Sequence, residues 1–491
     1  MVMRSLTLFF SATLLLGTAC QGLLDVAPQD QISNEEALSS PEGIQAAMAG
    51  AYSTLGESGY YLRAMVAYPE LAGHLAPNPD AVSSGDFSGN LATPIVDLRD
   101  AHSFALQPTY EDSSLDEFYR VLYILLGRVN NILEALPAVE GLTEAERNSL
   151  QGEALALRAL AHFDLLRLYA QPYRFTPNAA HPGVVLLDAP LPVTARPARS
   201  TVAEGFSLVE ADLLQAITLL NSFAQRTTEA VWLTPTAARG LLARIYAYRE
   251  NWEGVVEQAS RVIESGGLAL LNPGEYVDTW AQQLPSPEAI WYVDLQRHRN
   301  ADPSSTGLIF SMARVAGVPE DLEVVPYARV SNDLLSLYGE EDLRRELFIE
   351  VGGQAYCRKY SLRPNYVSNF PILRLSELFL LRAEAYAALG QDALAQADYN
   401  LIHQRAVDDA PAIGLTGQAL RDEIFKERRR ELALEGHLLF DLARTGRGVE
   451  RQDCLPGNLN CSLPFPDFRF VLPIPQSALN ANPNLTQNEG Y

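Results

Sequence analysis

The stretch from Asp422 to Gly446 constrains the fold of this chain more than any other. Lys426 to Glu431 is an unbroken charged run on a helical pattern, with no proline. Glu427 and Arg430 share a helix face at i, i+3 and attract. Glu427 and Glu431 share one at i, i+4 and repel. A charge run ordinarily marks a solvated helix face. Here Glu431, Glu435 and Asp441 alternate with Leu432, Leu434, Leu438 and Phe440, so some carboxylates must lie beside the apolar stripe. Buried carboxylates need partners. Arg428, Arg429, Arg430 and Arg444 are the nearest forks, and the expectation is a charged network that fixes how two helical segments meet.

The rest of the composition is that of a globular chain with ample length for a large core: 491 residues, 47% hydrophobic and 20% charged. A net charge of −23 repels nucleic acid and anionic lipid, which sets nucleic-acid binding aside. Lys359 and Lys426 are the only lysines, so positive charge is almost all arginine.

The N-terminus reads as a secretory signal over residues 1–19. Arg4 supplies its positive charge, Leu6 to Leu16 is largely apolar, and the segment is too short for a stable membrane span. Gly17, Thr18 and Ala19 are small and precede Cys20, which resembles a lipidation box with Cys20 as the lipidated first residue. Gly17 stands where leucine is usual, and a plain secreted protein is the alternative. In an exported chain, Cys454 and Cys461 have the spacing of a local disulfide, or they are two free thiols. Cys357 reads as a small buried apolar residue.

Several segments have helical spacing. Ser40 caps a helix beginning near Pro41. Leu115 to Leu136 carries apolar residues at three-to-four spacing. Thr143 and Glu146 form a capping box for a helix reaching Tyr169, with Ala154, Leu157, Ala161, Leu165 and Leu168 on one face. His162 beside that face reads as a structural histidine. Thr201 to Ser222 is a further helix. Two helix pairs follow, one turning at Asn251-Trp252 and one at Gly390-Gln391-Asp392, each similar to a tetratricopeptide unit. Between these lie two irregular regions, Gly59 to Glu111 and Gly274 to Tyr366, with one strand expected over Glu288–Gln296.

Five blocks together resemble the RagB/SusD family of outer-membrane nutrient-binding lipoproteins. They are CQGLLDVAPQDQISNEEAL, GEALALRALAHFDLLRLYAQPY, FPILRLSELFLLRAEAYAALG, KERRRELALEGHLLFDLARTG and the terminus FVLPIPQSALNANPNLTQNEGY. The resemblance implies a mainly all-α fold, with tetratricopeptide-like helix pairs in a curved scaffold and long loops and a few short strands packed on it. It implies a signal peptide over 1–19, a lipid-anchored tether over 20–40, an N-terminal helical region over 41–223 and a C-terminal region over 224–491, packed as one unit. It also implies a cell-surface position on the outer membrane, an oligosaccharide or peptide ligand, and a SusC-like TonB-dependent transporter as partner.

Enzyme motifs are scarce. Gly-x-Ser-x-Gly, His-Glu-x-x-His and a Walker loop are all missing, and the seven histidines are scattered, so neither catalysis nor a metal or other cofactor is expected. A glycosidase needs only two converging carboxylates, which sequence distance cannot test. A sugar site needs aromatic faces beside hydrogen-bonding groups. The four tryptophans, Trp232, Trp252, Trp280 and Trp291, read as packing. The loop candidates for ligand contact are Tyr61, Phe87, Phe104, Phe310 and Tyr327, with Asp80, Asp86 and Arg297 as polar partners. Asp80 and Asp86 could instead hold Ca²⁺, although the spacing of a Ca²⁺ loop is missing. The competing reading is a helical-repeat adaptor that binds protein and no small molecule.

Overall fold

The computed structural model describes residues 34–57, 59–61, 65–78, 100–108, 114–221, 230–282, 284–293, 328–360, 369–454 and 460–491. The signal segment and Cys20 lie outside the described residues. The fold is mainly α-helical, as the family resemblance implied.

The N-terminal helices are α1 (Pro41–Thr54), α2 (Ser114–Ala135), α3 (Glu144–Tyr169) and α4 (Val202–Leu220). Their starts follow from capping chemistry. Ser40 accepts from the Gly43 amide at 3.1 Å, and Pro41 occupies the first turn, where its missing N–H costs nothing. Thr143 and Glu146 close the expected capping box, and Thr201 and Glu204 repeat it at α4. Helix α2 is long and apolar enough to span a membrane by composition, but it packs between α1 and α3, burying Val121, Leu122, Leu125 and Val129.

Helix α3 departs from the single stripe expected of it. Residues Gly152 to Tyr169 are buried on all sides. Its polar side chains survive there because each is paired. Arg158 forms a fork with Asp212 at 2.8 and 2.7 Å. Asp164 takes Arg167 and the Tyr60 hydroxyl. His162 is structural: Nδ1 meets the Arg158 carbonyl at 3.1 Å and Nε2 accepts the Leu187 amide at 3.0 Å. Burial and then Arg158 push its pKa down to about 3, so the ring stays neutral.

The helix pairs are α5 (Pro235–Arg249) with α6 (Trp252–Ile263), and α8 (Leu375–Ala388) with α9 (Asp392–Ala406). Helix α7 (Pro273–Gln282) lies between the pairs in sequence, and α6 packs on α8. In the first pair, Glu250 turns the chain with φ of 58° and Asn251 caps α6 through the Gly254 amide. Helices α10 (Gly417–Glu431) and α11 (Leu438–Arg444) hold the charged stretch.

Strands are short and pair two by two. β1 (Leu75–Pro77) pairs antiparallel with β3 (Ala328–Val330), and β2 (Ala289–Val293) with β6 (Phe370–Arg374). β4 (Phe348–Val351) and β5 (Gln354–Cys357) form a hairpin on Gly352-Gly353, whose φ values of 60° and 77° fit a two-residue turn. β7 (Val449–Glu450) pairs with β8 (Ser462–Leu463). Between them the structure joins Cys454 to Cys461. One apolar cluster runs from Ile44 in α1 to Leu472 near the C-terminus, so both halves of the sequence share a core.

Candidate functional site

Two features organise the irregular regions: a frame of strands and a buried charge hub. In the frame, Pro77 lies opposite Ala328, and Val293 opposite Phe370. The two irregular regions, far apart in sequence, are thereby stitched together. Asn78 Nδ2 donates to the Tyr356 hydroxyl at 3.0 Å and ties β1 to the hairpin. The rings of Tyr61 and Tyr360 each lie 5.8 Å from Phe370.

The hub fixes this frame to the helices. Glu431 is fully buried and takes Arg374 at 2.7 Å, Arg405 at 2.5 Å and Arg344 at 3.0 Å. Arg344 Nη1 also reaches Glu427 at 2.7 Å, so one guanidinium reconciles the two like-charged carboxylates on α10. Glu435 takes Arg374 at 2.7 Å and Lys359 at 2.5 Å. Glu288 beside β2 binds Arg374 and Arg405, and accepts from Ser376 and the Leu271 amide. Five carboxylates (Asp342, Glu288, Glu427, Glu431 and Glu435) thus share Arg344, Lys359, Arg374 and Arg405, with Arg430 adding the fifth cation through Glu427.

Burial pushes the Glu431 carboxyl up, but Arg405, Arg374 and Arg344 outweigh it and hold the group well below the usual range. Glu435 is held down against burial by Arg374 and Lys359. Beside the hub, Arg244 forks onto Glu377, whose pKa falls against burial to about 2.

The expected network therefore exists, with corrected membership. Asp441 does take Arg428 and Arg444. Glu431 and Glu435 are served instead by cations from residues 344–405, which adjacency in sequence does not reveal. Among the described residues Arg429 meets no carboxylate fork; its Nε donates to His74 Nε2 at 3.2 Å.

The turn between α10 and α11 is gripped by Glu70. Its Oε1 accepts the amides of Gly436 at 2.9 Å and His437 at 2.8 Å, and its Oε2 accepts Leu434 at 3.1 Å. His74 Nδ1 sits 2.6 Å from the same carboxylate; burial lowers its pKa despite Glu70, which makes this a hydrogen bond from a neutral ring. Gly436 has φ of 81°, and a Cβ there would lie 1.9 Å from the Met65 carbonyl oxygen. Gly436→Ala is expected to destabilise the fold by about 2 kcal/mol or more. Gly267→Ala, at φ of 79° in open space, is expected to cost only about 1 kcal/mol. Urea midpoints of the two variants measure the difference.

Of the ligand-contact candidates, the described residues include two, and both are packed inside. Tyr61 is 4% exposed, with its hydroxyl 3.2 Å from Asp164. Phe104 is 8% exposed beneath the Arg451 guanidinium, 5.0 Å from its ring centre. Neither offers a free ring face, so both side with buried loop packing, the alternative to ligand contact for such loop aromatics. Arg451 itself is buried and donates to the carbonyls of Leu71, His102 and Asn460. Asp80, Asp86, Phe87, Arg297, Phe310 and Tyr327 lie outside the described residues. Two of the four tryptophans are held by packing: Trp291 donates to the Val231 carbonyl, and Trp232 meets Tyr52 edge to face at 4.8 Å.

Comparison with known proteins decides the family. A profile described as the SusD family matches residues 361–491, and one described as "Starch-binding associating with outer membrane" matches residues 83–247. This chain belongs to the SusD/RagB family. The SusD-like protein P25 of Formosa agariphila is 23% identical, over 96% of this chain and 97% of its own. The starch-binding protein SusD of Bacteroides thetaiotaomicron is 35% identical over 127 residues, covering 25% of this chain and 22% of that one. A SusD superfamily protein from Bacteroides thetaiotaomicron shares the fold with a TM-score of 0.79 and 24% identity, over 91% of this chain and 99% of its own. Within this SusD/RagB chain, the profile over 83–247 covers the α2–α4 core, and the profile over 361–491 covers β6 to β8 and the Arg374, Arg405, Glu427, Glu431 and Glu435 members of the hub.

Proposed function

We propose that this protein is a surface lipoprotein of the outer membrane, anchored through Cys20, that binds an oligosaccharide and passes it unchanged to a SusC-like TonB-dependent transporter. The observation that carries this reading is family membership along nearly the whole chain, including a stretch 35% identical to a starch-binding relative. The physical arrangement agrees with it. A helical scaffold locked by buried charge presents two irregular regions joined by strand pairs, and a binding surface benefits from such rigid support. Phe87, Phe310 and Tyr327 are the stacking platforms in this reading, with Asp80, Asp86 and Arg297 as polar partners.

Passive binding is also favoured by the hub's electrostatics. A glycosidase acid must be held protonated, with its pKa raised. The arginines around Glu427, Glu431 and Glu435 act in the opposite direction.

The test is calorimetric titration of the purified protein with starch-type and other oligosaccharides, with chromatography of the ligand afterwards. Saturable binding is expected, with intact ligand and an at least tenfold loss on alanine substitution of Phe87, Phe310 or Tyr327. Co-purification of a barrel protein from detergent-solubilised membranes checks the transporter link. Saturable peptide binding with no glycan binding would instead favour a peptide ligand if a barrel protein co-purifies, and the adaptor reading if none does.

A further inference from the structure

A concavity lies on the helical scaffold and shares no lining residue with the strand frame. It is a cleft of about 330 Å³ between the ends of α5 and α8, the first turns of α10 and the end of α11. That volume falls at the lower end of small-ligand clefts and accommodates one sugar ring. Two aromatic side chains, Trp252 and Phe425, contribute to its lining, and both are half-buried.

Charge is the unusual feature. The protein carries −23, yet the cleft is lined by Arg174, Arg421, Arg444 and Arg447 against Glu250 and Glu384. Three of these arginines are neutralised. Arg174 meets Glu250 at 2.7 Å, Arg444 forks onto Glu384 at 2.6 and 2.8 Å, and Arg447 pairs with Asp422. Arg421 has no acidic partner among the described residues. It donates to Gln418 Oε1 at 3.2 and 3.0 Å and to the Ala387 carbonyl at 3.4 Å. Nε of Arg447 is also buried without a hydrogen-bond acceptor, while its guanidinium lies 4.5 Å from the Phe425 ring centre. An unmatched guanidinium, an idle N–H and two aromatic side chains thus share one sugar-sized cleft.

We propose that this cleft binds an acidic sugar residue, with the ring against Trp252 and its carboxylate on Arg421. A sugar ring offers C–H faces to an indole. A guanidinium recognises a carboxylate through two parallel N–H donors, geometry that a neutral hydroxyl cannot match. None of the described lining residues is among the loop candidates for glycan contact, and the variants below test the cleft on its own.

The experiment titrates the full chain in detergent with digalacturonate, its dimethyl ester and sodium sulfate at low ionic strength. Digalacturonate is expected to bind saturably, with the ester at least tenfold weaker and sulfate a poor competitor. Arg421→Gln is expected to weaken the acid at least tenfold and leave the ester unchanged, while Arg421→Lys retains part of the affinity. Trp252→Ala weakens both ligands. Equal binding of acid and ester by the unmodified chain overturns the proposal without recourse to any variant. So does undiminished acid binding by Arg421→Gln, or full displacement by equimolar sulfate.

Discussion

Glu431→Gln is expected to lower the free energy of unfolding by roughly 3–5 kcal/mol. The carboxylate is fully buried and faces Arg344, Arg374 and Arg405. Glutamine keeps the shape but removes the charge, and it turns an N–H₂ group toward three guanidiniums. Three buried cations then share one anion fewer, and desolvation is no longer compensated. The comparison variant is Glu257→Gln, whose exposed i, i+4 pair with Arg261 at 3.0 Å is expected to contribute at most about 0.5 kcal/mol. Urea denaturation of both proteins checks the contrast. A Glu431→Gln midpoint within error of Glu257→Gln would mean that the hub is dispensable for stability.

Acid is expected to unfold the protein over a window set by the same groups. Glu377, Glu427, Glu431, Glu435 and Asp441 all have folded pKa values below their ordinary ones. For a depressed carboxyl, the unfolded chain binds protons first as pH falls. The stability each group contributes is complete above the unfolded value and disappears as pH drops toward the folded one. For Glu377 that interval runs from 4.5 down to about 2. It corresponds to roughly 3 kcal/mol for that single group. The carboxyl contribution should therefore be flat above about pH 5.5 and fall steeply below pH 4.5, with a shallower decline from about pH 7 set by the buried neutral His162 and His437. Circular dichroism of a urea series at stepped pH measures it. Burial keeps His437 neutral down to about 4, so the unfolded chain takes up this proton first and the stability it contributes is lost from 6.5 down to about 4, ahead of the carboxyls.

Much of the scaffold was legible in the sequence because its signals are local. The box of Thr143 and Glu146 marks the start of α3 within one turn, and the turns at Asn251 and Gly390 mark the helix pairs. The hub was legible only by half. Alternation of Glu431, Glu435 and Asp441 with leucines announces buried charge, but the cations for the first two come from residues 344–405. Nothing local identifies Arg344, which sits in a short helical turn and reads as one more surface arginine. Tyr61 and Phe104 could not be assigned from the sequence for the converse reason. Aromatics amid prolines and glycines fit ligand contact and loop packing equally, and here Tyr61 turns onto α3 and Phe104 lies under Arg451, both inside. The Gly352-Gly353 pair was a readable hairpin signal lying between two short β-rich runs.

The order in which the hub's members occur along the polypeptide has a consequence for biogenesis. A nascent chain exposes Glu288 first, then Asp342, Arg344, Lys359, Arg374 and Arg405, and only afterwards Glu427, Glu431 and Glu435. Until the last group arrives, four cations face two anions, and the middle of the molecule cannot close without stranding positive charge in an apolar interior. Closure of this region therefore waits on the α10–α11 stretch. An incomplete chain stays open and arginine-rich until those carboxylates arrive.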